Sequence, residues 1–134
     1  MPRYFIAYLA TAVVFFAGDA AWLSVATGRF YRLLLGGLLA ERPNLPIAAL
    51  FYVVYVAGVV VFAVAPALAA ASWPTALLLG ALLGLVAYGT YDITNLATLR
   101  NWPLAVSLLD LGWGITLTAV SALLGYLATQ RLAG

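Results

Sequence analysis

Four stretches of this chain, about residues 4–27, 47–68, 74–98 and 103–129, are each apolar for some twenty residues or more. That length confines the fold, because about 20 apolar residues are what a helix needs to cross the hydrocarbon core of a bilayer. Inside hydrocarbon every backbone N–H and C=O must be satisfied within the protein, which a helix does by itself. The chain is therefore expected to be all-α, an integral membrane four-helix bundle forming a single transmembrane domain over residues 1–134. Its 66% hydrophobic and 7% charged content agrees, since soluble domains carry roughly 25% charged residues.

The connections are equally legible. Gly28 and Arg29 mark the exit of the first span, and residues 30–42 are apolar, bounded by charges and too short to cross, so they read as a short interfacial helix. Pro43-Asn44-Leu45-Pro46 breaks the chain before the second span, which has Pro66 near its end. Ser72-Trp73-Pro74 and Asn101-Trp102-Pro103 open the third and fourth spans with a cap-competent residue and a proline for the first turn. Trp73 and Trp102 are read as interfacial anchors. The run from Tyr4 carries Asp19 and no small-residue cleavage site, so it reads as a retained span, with residue 1 the mature start. Arg29, Arg32, Arg42 and Arg100 fall on one side and Arg3 and Arg131 on the other. By the positive-inside rule the first side is cytoplasmic, giving a multi-pass protein of the cell inner membrane with periplasmic termini.

What is missing narrows the chemistry. The chain has no cysteine, histidine or lysine, which removes disulfides, the usual zinc sites, the common axial ligands of haem and Schiff-base chemistry. Six arginines and a net charge of +2 are too few for a nucleic-acid footprint. Carboxylates, tyrosines and amides are left, or a bound cofactor.

Three of the four acidic residues, Asp19, Asp92 and Asp110, lie inside the apolar spans. A carboxylate at a helix centre costs about 2.5 to 3.5 kcal/mol on insertion scales, so each is by default a candidate functional position, against the alternative of a polar group that only joins helices. Asp19 lies about eight residues before the end of the first span, roughly 12 Å below the interface. Asp92 and Asp110 fall at similar distances from the ends of spans three and four, and all three threads meet in one half of the bilayer, the cytoplasmic half by the arginine count. Tyr52 and Tyr55, near the start of the second span, reach the same level. Tyr88, Asp92 and Asn95 share a helical face with Tyr91 beside it, and Asp19 with Trp22 repeats as Asp110 with Trp113. The expected cluster is a polar pocket walled by aromatics. Asp19, Asp92 and Asp110 are the candidate catalytic groups. Trp22, Tyr52, Tyr55, Tyr88, Tyr91, Asn95 and Trp113 would bind the ligand, the two indoles by stacking on it. Gly80-x-x-x-Gly84 fits a close helix contact, within the chain or between protomers.

The run Tyr88-Gly-Thr-Tyr91-Asp92-Ile-Thr94-Asn95, with Trp102-Pro103, Asp110-x-x-Trp113-Gly114, Asp19-x-x-Trp22 and Phe51-Tyr52-x-x-Tyr55, resembles the pattern of a bacterial family of small four-span predicted membrane proteins, a domain of unknown function. The resemblance covers nearly the whole chain and implies the architecture, with no activity attached. From the residues themselves the leading expectation is an intramembrane protein that binds or modifies a lipid-like molecule, acyl or isoprenoid, by Asp acid/base chemistry without a cofactor. A hard divalent metal on Asp19, Asp92, Asp110 and Asn95 is a lesser variant, short of ligands. Two further readings stay open: a proton-coupled transporter of small cations working as a homodimer, and a non-catalytic membrane assembly subunit whose polar cluster locks the bundle.

Overall fold

The computed structural model describes residues 2–133. Helices α1 (Pro2–Ala26), α2 (Arg32–Leu35), α3 (Leu45–Val59), α4 (Ala65–Ala70), α5 (Trp73–Thr98) and α6 (Leu104–Ala133) account for most of it. α1 runs into α2 through a π-helical turn at Thr27–Tyr31 and ends in a 3-10 turn at Gly36–Leu38; α3 runs into α4 through a second π-helical turn at Val60–Val64. Four continuous helical stretches, Pro2–Leu38, Leu45–Ala70, Trp73–Thr98 and Leu104–Ala133, are thus long and apolar enough to cross a membrane. The protein is an all-α membrane bundle.

A separate short helix over residues 30–42 is expected between spans one and two; the structure has only the four-residue α2 there, continuous with α1 through the turn at Thr27–Tyr31 rather than separated from it at Gly28. Glycine is common in membrane helices, where nothing competes for the backbone hydrogen bonds, and it does not by itself stop one. The wide turn has a consequence for packing. Buried positions on α1 include Ala7, Thr11, Phe15 and Asp19, four residues apart, but the step from Ala26 to Tyr31 is five. One extra residue in the turn rotates the chain so that Tyr31, not Phe30, faces the bundle. Helix continuity through Pro66 has a similar origin. A proline lacks the N–H and crowds the carbonyl four residues earlier, and the π-helical turn at Val60–Val64 lies where that strain falls.

Caps set the remaining boundaries. Ser72 accepts from the Thr75 N–H, with Pro74 in the first turn of α5. Asn44 does the same for Ile47 at the start of α3, so the Pro43–Pro46 break also carries a helix start. Asn101, expected to cap α6, instead takes the left-handed conformation at φ 64°, and the Pro103 carbonyl accepts from the Ser107 N–H.

In the bundle α6 packs along both α5 and α1, and the second span touches them chiefly through Val60–Ala70. The α5–α6 seam is a contact of small residues within the chain. A methyl group on Gly84 would lie 2.6 Å from the Gly114 carbonyl oxygen, and one on Gly80 would lie 2.9 Å from the Ala119 Cα. Such close approach is what holds helices together where lipid offers no hydrophobic drive. At the end bearing the chain termini the core is fully formed, from Ala7, Val59, Ala63, Val64, Ala76 and Ala122. Towards the other end the first half of α3 leans away, and its positions 45–54 are exposed apart from Ala48 and Tyr52.

Candidate functional site

The three intramembrane carboxylates gather at that opened end, each in a different setting. Asp19, 5% exposed, accepts hydrogen bonds from the Tyr52 hydroxyl of α3 and from the Trp113 indole of α6 at 3.2 Å. Asp110 accepts from the Tyr31 hydroxyl at 2.8 Å, and Tyr31 in turn accepts from the Trp22 indole at 3.2 Å. The repeated Asp-x-x-Trp pairs therefore cross over. Each tryptophan serves the carboxylate of the other helix, Trp113 directly and Trp22 through Tyr31.

The indoles meet face to face, ring centres 4.7 Å apart and 9° from parallel. The sequence has them stacking on a ligand; in the structure they stack on each other, because crossing over to the opposite carboxyl group brings both rings into the α1–α6 interface. Trp113 bonds to Asp19 and Trp22 to the tyrosine that bonds to Asp110, so both indoles are placed to brace the carboxyl groups. A carboxyl group with fixed donors keeps a fixed direction.

Asp92 is different. It is fully buried between α5 and α6, and neither carboxyl oxygen has a hydrogen-bond partner among the described residues. Its backbone carbonyl accepts from the Ser107 hydroxyl at 2.7 Å, and Ser107 accepts from the Trp102 indole at 2.9 Å. Trp102, expected at the lipid interface, is thus half-buried and turned inward, with Tyr91 edge-on to it at 5.9 Å. Ser107 lies one helical turn before Asp110 on the same face of α6, so its hydrogen bond to the Asp92 carbonyl ties that part of α5 to the stretch of α6 that carries Asp110.

Two cavities reach Asp110. The first, about 590 Å³, opens between α3 and α5 and is walled by Phe15, Phe51, Tyr52, Tyr55 and Tyr88. The second, about 660 Å³, lies under α2 and the turn that follows it, against Tyr31, Arg32, Leu35, Leu39 and Val106. Tyr91 and Asp110 line both. These volumes fall in the range of small-molecule sites, which are mostly apolar with a few placed polar groups.

Tyr55 is held by Thr118, hydroxyl to hydroxyl at 2.9 Å, and the Tyr88 ring rests on Gly114, where any side-chain carbon would collide with it. Of the ten residues singled out from the sequence, Tyr52, Tyr55, Tyr88, Tyr91 and Asp110 line a cavity. Asp19, Trp22 and Trp113 form the bracing network behind. Asn95 is half-buried one turn beyond Asp92 and lines neither cavity. Tyr31, Phe15 and Ser107 were missed. Tyr31 was hidden by the turn that rotates it inward, and no feature of the sequence marks that turn. Among the described residues no three acidic groups converge into a set that could hold a metal ion.

A family model for predicted membrane proteins (DUF2177) matches residues 4–127. The chain belongs to the DUF2177 family. Comparison with curated proteins and with solved structures gives no match. The matched region takes in every residue of the DUF2177 carboxylate network, from Asp19 to Trp113, and both cavities with it.

Proposed function

We propose that this DUF2177 protein binds a lipid-like molecule, acyl or isoprenoid, within the bilayer and acts on it by carboxyl acid/base chemistry. The observation that carries the reading is the meeting of two cavities at one carboxylate: Asp110 and Tyr91 line both. A molecule entering sideways between α3 and α5 would come from lipid without crossing water, and aromatic walls suit an apolar chain. At the inner end a protonated carboxyl can give a proton to a double bond or an oxygen function while an ionised one removes a proton nearby. That chemistry moves no net electrons. Asp110, which lines both cavities, is the carboxyl placed to meet the ligand, and the buried Asp92 and Asp19, the latter fixed by Tyr52 and Trp113, stand behind it. In this reading the protein sits in the inner membrane with the carboxylates in the cytoplasmic half, as the arginines of that side suggest.

Native mass spectrometry with lipid extraction, on the wild type and on Asp110→Asn, tests it. A defined lipid-like molecule should copurify with the wild type and be depleted in the variant. Equal retention by both would remove Asp110 from the site. Retention by neither, with the variant only melting earlier, would make the network a structural lock and the protein an assembly subunit.

A second reading, a proton-coupled cation transporter acting as a homodimer, draws support from the unpartnered Asp92 carboxyl, which can take up a proton. The apolar core at the other end of the bundle weighs against it, since alternating access needs a site near the midplane reached from both sides.

A further inference from the structure

The second cavity differs from the first in its wall. The first is closed around by tyrosines and phenylalanines, whereas the second carries a cation, Arg32, at its outer edge, with the hydroxyl-bearing Ser24 and Thr27 beside it. Arg32 opens α2 immediately after the π-helical turn, and its side chain is exposed. An exposed arginine in the wall of a mostly apolar cavity can offer its guanidinium to an oxyanion while its stem covers apolar surface.

Tyr91 and Asp110 line both cavities, so the two lie against each other at these side chains. A methylene takes roughly the space of one water in the liquid, about 30 Å³. The 590 Å³ cavity therefore suits a single chain rather than a two-chain lipid. Asp110 at the junction is turned towards the Tyr31 hydroxyl, which leaves Arg32 as the charged group at the mouth.

We propose that the second cavity is a headgroup subsite, and that the ligand is a single-chain amphiphile whose oxyanion, carboxylate or phosphate, is held by Arg32 while its chain passes Tyr91 into the aromatic cavity. This rests on the lipid-binding reading above and adds the ligand class and its orientation: head towards α2, chain between α3 and α5, reacting carbon beside Asp110.

Scintillation-proximity binding of three tritiated sixteen-carbon probes tests it: hexadecanoate, hexadecyl phosphate and hexadecanol, each on the wild type, Arg32→Gln and Arg32→Lys. In the wild type at least one anion should bind more tightly than the alcohol, by roughly fivefold for one partly exposed charge pair. The preference should vanish in Arg32→Gln and survive in Arg32→Lys, with hexadecanol affinity the same in all three. Whichever anion binds more tightly identifies the head. Because Arg32 is exposed, both variants should keep the wild-type melting temperature. If the alcohol matches the anions in the wild type, or if the preference persists in Arg32→Gln, the headgroup subsite is wrong and the cavity reading stands. If none of the three probes binds, the lipid-binding reading itself fails and this one goes with it.

Discussion

Tyr31 is the residue on which the network turns, because its hydroxyl accepts from Trp22 and donates to Asp110 while its ring is buried against Ala26 and Val106. Tyr31→Phe keeps the ring and removes both bonds. Interhelical hydrogen bonds in membranes are worth on average about 0.6 kcal/mol and at most about 1.7, because the unfolded helices find other partners in the bilayer. The variant should lose stability towards the upper end of that range, since a carboxylate is left short of its donor. Trp113→Phe should cost less, because Asp19 keeps Tyr52. Unfolding of both variants in mixed detergent–SDS micelles, followed by helical circular dichroism, checks the order; equal losses would mean that the two donors are interchangeable. At this scale the sequence was informative about residue type and depth. Counting turns brought Asp19, Tyr52 and Trp113 to one level, where they do bond. It was silent on direction, because a spacing of three residues cannot tell an indole that serves its own helix from one that reaches across.

Helices α5 and α6 show the same division at the scale of elements. Gly80-x-x-x-Gly84 announces a close contact, but only the fold names α6 as the partner and Gly114 as the point of nearest approach. A methyl group on Gly84 would meet backbone, the Gly114 carbonyl oxygen at 2.6 Å and the Ile115 Cα at 2.9 Å, and neither can rotate away. Gly84→Ala should therefore destabilise the bundle by about 1–3 kcal/mol, the ordinary range for overpacking. Gly112→Ala, whose added carbon would meet open space, should be neutral or gain up to about 1 kcal/mol from lower unfolded-chain entropy. A matched loss in the two variants would show that the seam is looser than its geometry. The π-helical turns at Thr27–Tyr31 and Val60–Val64 could not be read in advance. Each costs one residue of register, and single-residue register is what apolar sequence specifies least, since a span that is hydrophobic all round has no stripe to keep in phase.

Across the whole molecule, packing and charge divide along the same axis. The end with both termini holds the closed apolar core, and the end with α2, the start of α3 and the α5–α6 turn holds the carboxylates, both cavities and the exposed Arg29, Arg32, Arg42 and Arg100. If the positive-inside rule governs, the carboxylate-bearing end faces the cytoplasm and Arg32 lies on the side of the inner leaflet. Only Arg3 and Arg131 oppose this, so the bias is four against two. The natural chain has no cysteine, which makes single-cysteine labelling direct. Glu41→Cys, beyond α2, and Ala70→Cys, at the end of α4, are both exposed and stand at opposite ends of the second span. In intact cells a membrane-impermeant thiol reagent should label Ala70→Cys and spare Glu41→Cys until the membrane is opened. The reverse pattern would put the cavities on the outer side and make any ligand a component of the outer leaflet. Partial labelling of both would mean that the chain inserts in two orientations, as an antiparallel homodimer requires, and would move the balance from a lipid-binding site to the transporter.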